Sequence, residues 1–220
     1  MNTSKAIKLV QETNVSVAIS KKLTIIFDAA HGEEVPGKRS PDGKFREYAW
    51  SRMMIEKIMP RVAELGYTVK ETNPTDKEIG LSKRKNIANA FDGENKLLIS
   101  IHNNAAGNGT SWTSATGIEF YTSKGQTGSD VFAECLYKVF SQEFPDIKMR
   151  KDTVDGDSDK ESNFTVLMGS SYWAVLAEIL FMDSKEDLAK LQDDVWCEKC
   201  ANAFVKSIEF FNYIVSCTSI

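Results

Sequence analysis

The stretch Leu23-Thr-Ile-Ile-Phe-Asp-Ala-Ala-His-Gly32 opens on an apolar, β-branched run and then turns polar, reaching His31 just past its end. A second stretch, Leu97-Leu-Ile-Ser-Ile-His-Asn-Asn104, has the same order, with His102 directly after the run. Such runs read as buried strands of a parallel or mixed sheet. His31 and His102 are the two histidines of the chain. In open α/β sheets ligands gather outside the carboxyl ends of the strands, so imidazoles at two strand ends can converge on one point. Imidazole is the commonest protein ligand for zinc, and the pattern points to a metal-dependent hydrolase.

Outward from these strands, helical and strand patterns alternate. After a loop of turn formers from Gly32 to Gly43, apolar residues recur at Trp50, Met53, Met54, Ile58, Val62 and Leu65, the spacing of one helix face. Gly66 closes that helix, and Pro60 is expected to kink or tighten it. Tyr67–Lys70 reads as a short strand, Ile79–Ala90 as a helix, Ile118–Tyr121 as a strand and Ser129–Phe144 as a helix. A charged loop, 146–163, precedes two further apolar runs, Phe164–Met168 and Trp173–Met182, and helices fill about 184–214. The expected fold is a single α/β domain with a mostly parallel or mixed central sheet flanked by helices. Residues 1–22, polar and weakly patterned, are expected as an N-terminal extension to a catalytic domain spanning 23–220.

Composition narrows the function. The 220 residues suit one sizeable domain, and the net charge of −4 lacks the basic footprint of a protein built to grip nucleic acid. No stretch approaches the roughly 18 apolar residues of a membrane span. The first ten residues lack the basic, then apolar, then small-residue order of a secretory signal, which sets the expectation of a protein made in the cytoplasm. The four cysteines suit a reducing compartment, and Cys197 and Cys200 lie inside a long helical pattern without a second C-x-x-C or a nearby histidine, so they read as structural. The segment Asp155-Gly-Asp-Ser-Asp-Lys-Glu161 suggests a calcium loop. Counted from Asp155, however, Lys160 is sixth and Val166 twelfth, where an EF-hand needs Gly and Glu; it reads instead as a solvated acidic loop.

Two histidines make an incomplete zinc site, because a catalytic zinc usually has three protein ligands and one open position. Glu47, at the start of the helix after the His31 loop, is the candidate third ligand; an acid there equally suits a helix's first turn. Glu178 stands inside Trp173-Ala-Val-Leu-Ala-Glu-Ile-Leu-Phe-Met182, where a carboxylate is costly to bury unless paired or near a metal. An outward-facing place on a half-exposed strand would also account for it. Beside a zinc site, that carboxylate can take a proton from water and pass it to a leaving amine.

In these residues and their order the chain resembles the zinc-dependent N-acetylmuramoyl-L-alanine amidases of the amidase-3 type, over nearly all of 23–214. Ile25-Ile-Phe-Asp-Ala-Ala-His-Gly32 is similar to the family's first strand and D-P-G-H-G-G turn, and Leu81-Ser-Lys-Arg84 with Ala88-Asn89 to its L-x-x-R-x-x-x-A-N segment. Ser100-Ile-His-Asn-Asn104 resembles S-I-H-A-N, Gly117-Ile-Glu-Phe-Tyr121 resembles G-x-E-x-Y/F, and Val175-Leu-Ala-Glu178 with Leu180–Asp183 resembles V-L-V-E-x-G-F-x-S-N. The resemblance implies that His31, Glu47 and His102 hold zinc and that Glu178 is the catalytic acid and base. It implies supporting or substrate-contacting places for Arg84 and Asn104. The implied substrate is bacterial peptidoglycan, cut between N-acetylmuramic acid and L-alanine.

Departures from the family pattern at Ala29, Ala30, Glu33, Leu180 and Asp183 bear on loop shape and subsite and leave the ligands in place. With no room for a long blocking helix, the cleft is expected to be open. The expected partners are peptidoglycan alone, without nucleic acid or membrane, for a monomer. A phage-type lysis enzyme (an endolysin), held in the cytoplasm until released to the wall, is the expected setting, with a bacterial enzyme exported by an unrecognised route as the other. Two other functions stay open: a zinc peptidase cutting within the stem peptide, and a non-catalytic peptidoglycan-binding module.

Overall fold

The structure is a computed structural model that describes residues 23–152, 156–169 and 171–217. The expected extension, 1–22, lies outside the described residues. Six strands form one sheet in the order β2-β1-β3-β6-β4-β5: β1 is Leu23–Ala29, β2 Thr68–Glu71, β3 Asn95–Asn104, β4 Ile118–Thr122, β5 Lys160–Glu161 and β6 Trp173–Phe181. All neighbours pair in parallel except β4 and β6, which are antiparallel. Five α-helices flank the sheet: α1 Glu47–Glu64, α2 Leu81–Ala90, α3 Gly128–Glu143, α4 Lys185–Leu191 and α5 Asp194–Cys217. This is the single α/β domain with a mixed central sheet that the strand and helix patterns predict.

Alternation along the strands sorts the two faces, because successive side chains of a strand point to opposite sides. Ile25, Phe27, Leu97, Ile99, Ile101, Val175, Ala177 and Ile179 enter the larger core with α1, α3 and α5. Phe140 of α3 sits at its centre, with ring centroids 5.5 Å from Phe120 and 5.1 Å from Phe204. Truncating such a ring costs about 3–5 kcal/mol. The opposite face carries a smaller cluster of Ile26, Leu98, Ala174 and Leu176, covered by Ala88 of α2 and by Val166 and Leu167.

That smaller cover has a chemical consequence. Beyond it, the same sheet face turns polar: Asp28 pairs in register with Ser100, His102 with Glu178, and Glu178 with Glu119. Four neighbouring strands thus carry polar side chains at one end of one face.

One boundary departs from the sequence pattern: helix α2 begins at Leu81 rather than Ile79 because Gly80 adopts φ 84, outside the helical region. The apolar run Phe164–Met168 holds a 3-10 turn over Thr165–Leu167. Helix α1 continues through Pro60 to Glu64 and, as its pattern predicts, Gly66 with φ 87 closes it.

Candidate active site

His31 follows β1, Glu47 is the first residue of α1, and His102 lies near the carboxyl end of β3. One donor atom from each comes within 4.8 Å of the others. Glu47 is 1% exposed, and its Oε1 lies 2.9 Å from His102 Nδ1 and accepts the backbone N–H of Asn103 at 3.2 Å. Its Oε2 is 3.4 Å from His31 Nε2 and, though enclosed, accepts no hydrogen bond among the described residues. The imidazole rings meet edge to face with centroids 5.1 Å apart.

Electrostatics match this geometry. Burial alone would raise the Glu47 pKa, yet the hydrogen bond to His102 and the close approach of both imidazoles outweigh it and bring the carboxyl down to about 2. Burial opposes protonation of His102, and the Glu47 carboxylate reverses that effect and raises its pKa, with Glu178 and Asp28 adding. Two nitrogens and one carboxylate, with one of its oxygens enclosed and without a donor, form a set that fits zinc, whose protein sites take His and Glu; calcium and magnesium prefer oxygen alone.

Surrounding residues hold these donors in place. His102 Nε2 lies 3.1 Å from Ser100 Oγ, which donates to Asp28 Oδ2 at 2.7 Å. Since that hydroxyl's one proton is committed to Asp28, it accepts from Nε2–H and leaves Nδ1 facing Glu47. Asp28 Oδ1 accepts from the Thr72 hydroxyl and from Arg84 Nη1. Arg84, 1% exposed, also binds Glu78 and the carbonyls of Ala29 and His31. Arg52 donates to the same His31 carbonyl at 3.0 Å and to that of Ala30 at 3.1 Å. These two guanidinium clamps meet a backbone under strain, since His31 has φ 48, a left-handed conformation that costs a non-glycine residue roughly 1–2 kcal/mol.

Glu178 lies on β6 beside His102 in register. Its Oε2 is enclosed and has no hydrogen-bond partner among the described residues. Burial first, then the charges of Glu47 and Glu119, push its pKa up to about 7, against the pull of His102 and Lys38. On its other flank, Glu119 accepts from Asn104 at 2.6 Å, Tyr121 at 2.9 Å, Arg150 at 2.8 Å and Lys160 at 2.6 Å. Asn104 therefore acts on Glu119, and Arg84 on the His31 loop. Leu180, where the family resemblance places a glycine, has φ 61, and the β3–β6 register shifts between His102 and Asn104.

The structure thus brings all four sequence-predicted residues to one end of the sheet. Sequence reasoning missed Asp28, Ser100 and Arg52. Asp28 carried the same sign as Glu178, a carboxylate inside an apolar run.

Comparisons with known proteins place the chain by sequence and by fold. The model of the N-acetylmuramoyl-L-alanine amidase family matches residues 25–210. A curated relative, the uncharacterized protein YqiI of Bacillus subtilis (strain 168), is 28% identical over 188 residues, covering 86% of this chain and 84% of its own. The crystal structure of an N-acetylmuramoyl-L-alanine amidase from Clostridium difficile 630 superposes with a TM-score of 0.76 at 25% identity, over 87% of this chain and 97% of that one. The amidase AmiC2 of Nostoc punctiforme shares the fold, with a TM-score of 0.73 at 22% identity over 87% and 98% of the two chains. With the family model matching most of its length, the chain belongs to the N-acetylmuramoyl-L-alanine amidase family.

Proposed function

We propose that the protein is a zinc-dependent amidase that hydrolyses the bond between N-acetylmuramic acid and L-alanine in bacterial peptidoglycan. The observation that carries this reading is the convergence of His31, Glu47 and His102 within 4.8 Å at the carboxyl end of the sheet, beside Glu178. In this reading His31, Glu47 and His102 hold the zinc. Zinc held there supplies Lewis acidity, which polarises an amide carbonyl and brings the pKa of a water toward about 7.

The remaining steps belong to the protein's own side chains. Glu178 takes a proton from the attacking water as the new C–O bond forms at the lactyl carbonyl. The same carboxyl then gives that proton to the L-alanine nitrogen as the C–N bond breaks, leaving a free lactyl carboxylate and a free amine. Its enclosed position, which disfavours the ionised form, suits a group that must both accept and return a proton. Ser100 and Asp28 fix the His102 ring, while Arg52 and Arg84 fix the His31 backbone.

The test is digestion of purified peptidoglycan by the zinc-loaded protein, with and without a chelator. The expected products are new L-alanine amino termini and peptide-free glycan, formed only without chelator. Glu178→Gln should keep zinc and lose turnover by about 10²–10⁴-fold, whereas His102→Ala should lose both. New amino termini from other stem-peptide residues would instead identify a wall peptidase. Wall binding without cleavage by the zinc-loaded protein would identify a binding module.

A further inference from the structure

We propose that Asp130, Asp157 and Asp159 form a second cation site, selective for a hard divalent ion of the calcium type and separate from the His31, Glu47 and His102 centre. The three carboxylates each bring an oxygen within 4.8 Å of the other two. Asp130 comes from the first turn of α3, and Asp157 and Asp159 from the segment leading into β5. Asp130 is 1% exposed and Asp159 is 2% exposed. The acidic loop that reads as solvated in sequence therefore places one of its carboxylates in the interior.

The three carboxylates have few donors around them. Asp130 Oδ2 accepts the backbone N–H of Thr127 at 2.5 Å and its hydroxyl lies 3.1 Å away. Gln126 donates to Asp157 Oδ2 at 2.6 Å. The Thr122 hydroxyl, at the end of β4, lies 2.5 Å from Asp159 Oδ2 and 3.4 Å from Asp130 Oδ1, with one proton for the two. Asp157 Oδ1 and Asp159 Oδ1 are enclosed and receive no donor among the described residues. Among the described residues none of the three forms an ion pair; the neighbouring Lys160 is committed to Glu119. An unpartnered oxygen on a side chain as buried as Asp159 points to a partner that the described residues do not supply.

Two acceptor-only carboxylates and a third beside them, without a counter-charge, carry a desolvation cost that must be relieved. A shared proton or a cation would relieve it. Near neutral pH the cation is the stronger partner, because it satisfies all three carboxylates at once. An all-oxygen donor set selects calcium or magnesium over zinc, and calcium tolerates an irregular shell of 6–8 oxygens completed by water. EF-hand spacing misses the site because its ligands come from a helix start and a strand approach rather than from one loop. A cation there ties the segment before β5 to α3 and to β4, the strand that bears Glu119 and Tyr121 beside Glu178.

The test uses the zinc-loaded protein in calcium-free buffer near pH 7.5, titrated with calcium chloride by calorimetry and followed by thermal melting. The expected result is one calcium per chain with a Kd between about 1 µM and 1 mM. At about a hundredfold excess over Kd, Tm should rise by about 5 °C. Asp159→Asn should weaken calcium binding at least about tenfold while leaving zinc content at one per chain. Asp157→Asn, at a less buried position, should do the same should the first variant fold poorly. Absence of any calcium response in the parent protein would overturn the proposal, and would assign the cluster to a shared proton if Asp159→Asn then raises Tm. A calcium response that survives in both variants would place the ion elsewhere and equally overturn it.

Discussion

Replacing Glu178 with glutamine should make the metal-free protein more stable at alkaline pH. The folded carboxyl has a pKa near 7 against 4.5 when unperturbed, burial being the first cause and the charges of Glu47 and Glu119 the next. Below pH 4.5 the group is protonated in both folded and unfolded chains and contributes nothing. Between 4.5 and 7 the unfolded chain releases its proton first, so stability falls as pH rises. Above 7 the full penalty is present. A rise of that size corresponds to about 3 kcal/mol as a ceiling. Glutamine keeps the shape and removes the charge, although its amide needs an acceptor, so a gain of about 1–3 kcal/mol is expected at pH 8.

The assay is urea unfolding of chelated wild type and Glu178→Gln at pH 4.5 and pH 8. The difference should be small at the acid end and largest at the alkaline end. Loading with zinc should shrink it, because a nearby dication stabilises the carboxylate that glutamine lacks. Equal stability at pH 8, or a more stable wild type, would refute the argument that the ionised carboxylate is held at a cost.

Two further outcomes follow from the residues around the site. Arg84→Met removes a buried guanidinium shared by Asp28, Glu78 and the carbonyls of Ala29 and His31, and should cost about 3–5 kcal/mol in urea unfolding. It should also weaken zinc binding by about 10–100-fold in a competition titration, since the His31 loop loses one of its two clamps. The double variant Cys197→Ala, Cys200→Ala should still bind one zinc per chain by elemental analysis, because both thiols are buried on α5 and neither joins the His31, Glu47 and His102 donor group. It should lose about 1–3 kcal/mol of stability from the packing removed.

How far the sequence could be read depended on whether each signal was local. His31 and His102 stood out because an apolar strand run and the polar residue that follows it are neighbours in the chain. Glu47 was ambiguous for the opposite reason: an acid in a helix's first turn is ordinary, and only the approach of residues 31 and 102 distinguishes it. Asp28 was legible in principle, but its partners Ser100, Thr72 and Arg84 are brought to it by three different elements. The run Phe164–Met168 has the apolar content of a strand, yet an apolar run alone does not separate a strand from another buried turn. Burial of Asp159 was illegible because the acidic loop's composition is that of a solvated segment.

The strand order also governs how the protein meets its own copies. The long apolar strands β1, β3 and β6 all lie inside the sheet, and its two borders are β2, Thr68-Val-Lys-Glu71, and β5, Lys160-Glu161. A border strand exposes unpaired N–H and C=O groups and invites another chain to pair with it. Here each border is short and carries lysine and glutamate, so an incoming strand would find few hydrogen bonds and would have to desolvate charged side chains. The sequences most prone to aggregate are thereby kept away from the places where a foreign strand could dock, and the folded protein can accumulate without joining sheet to sheet.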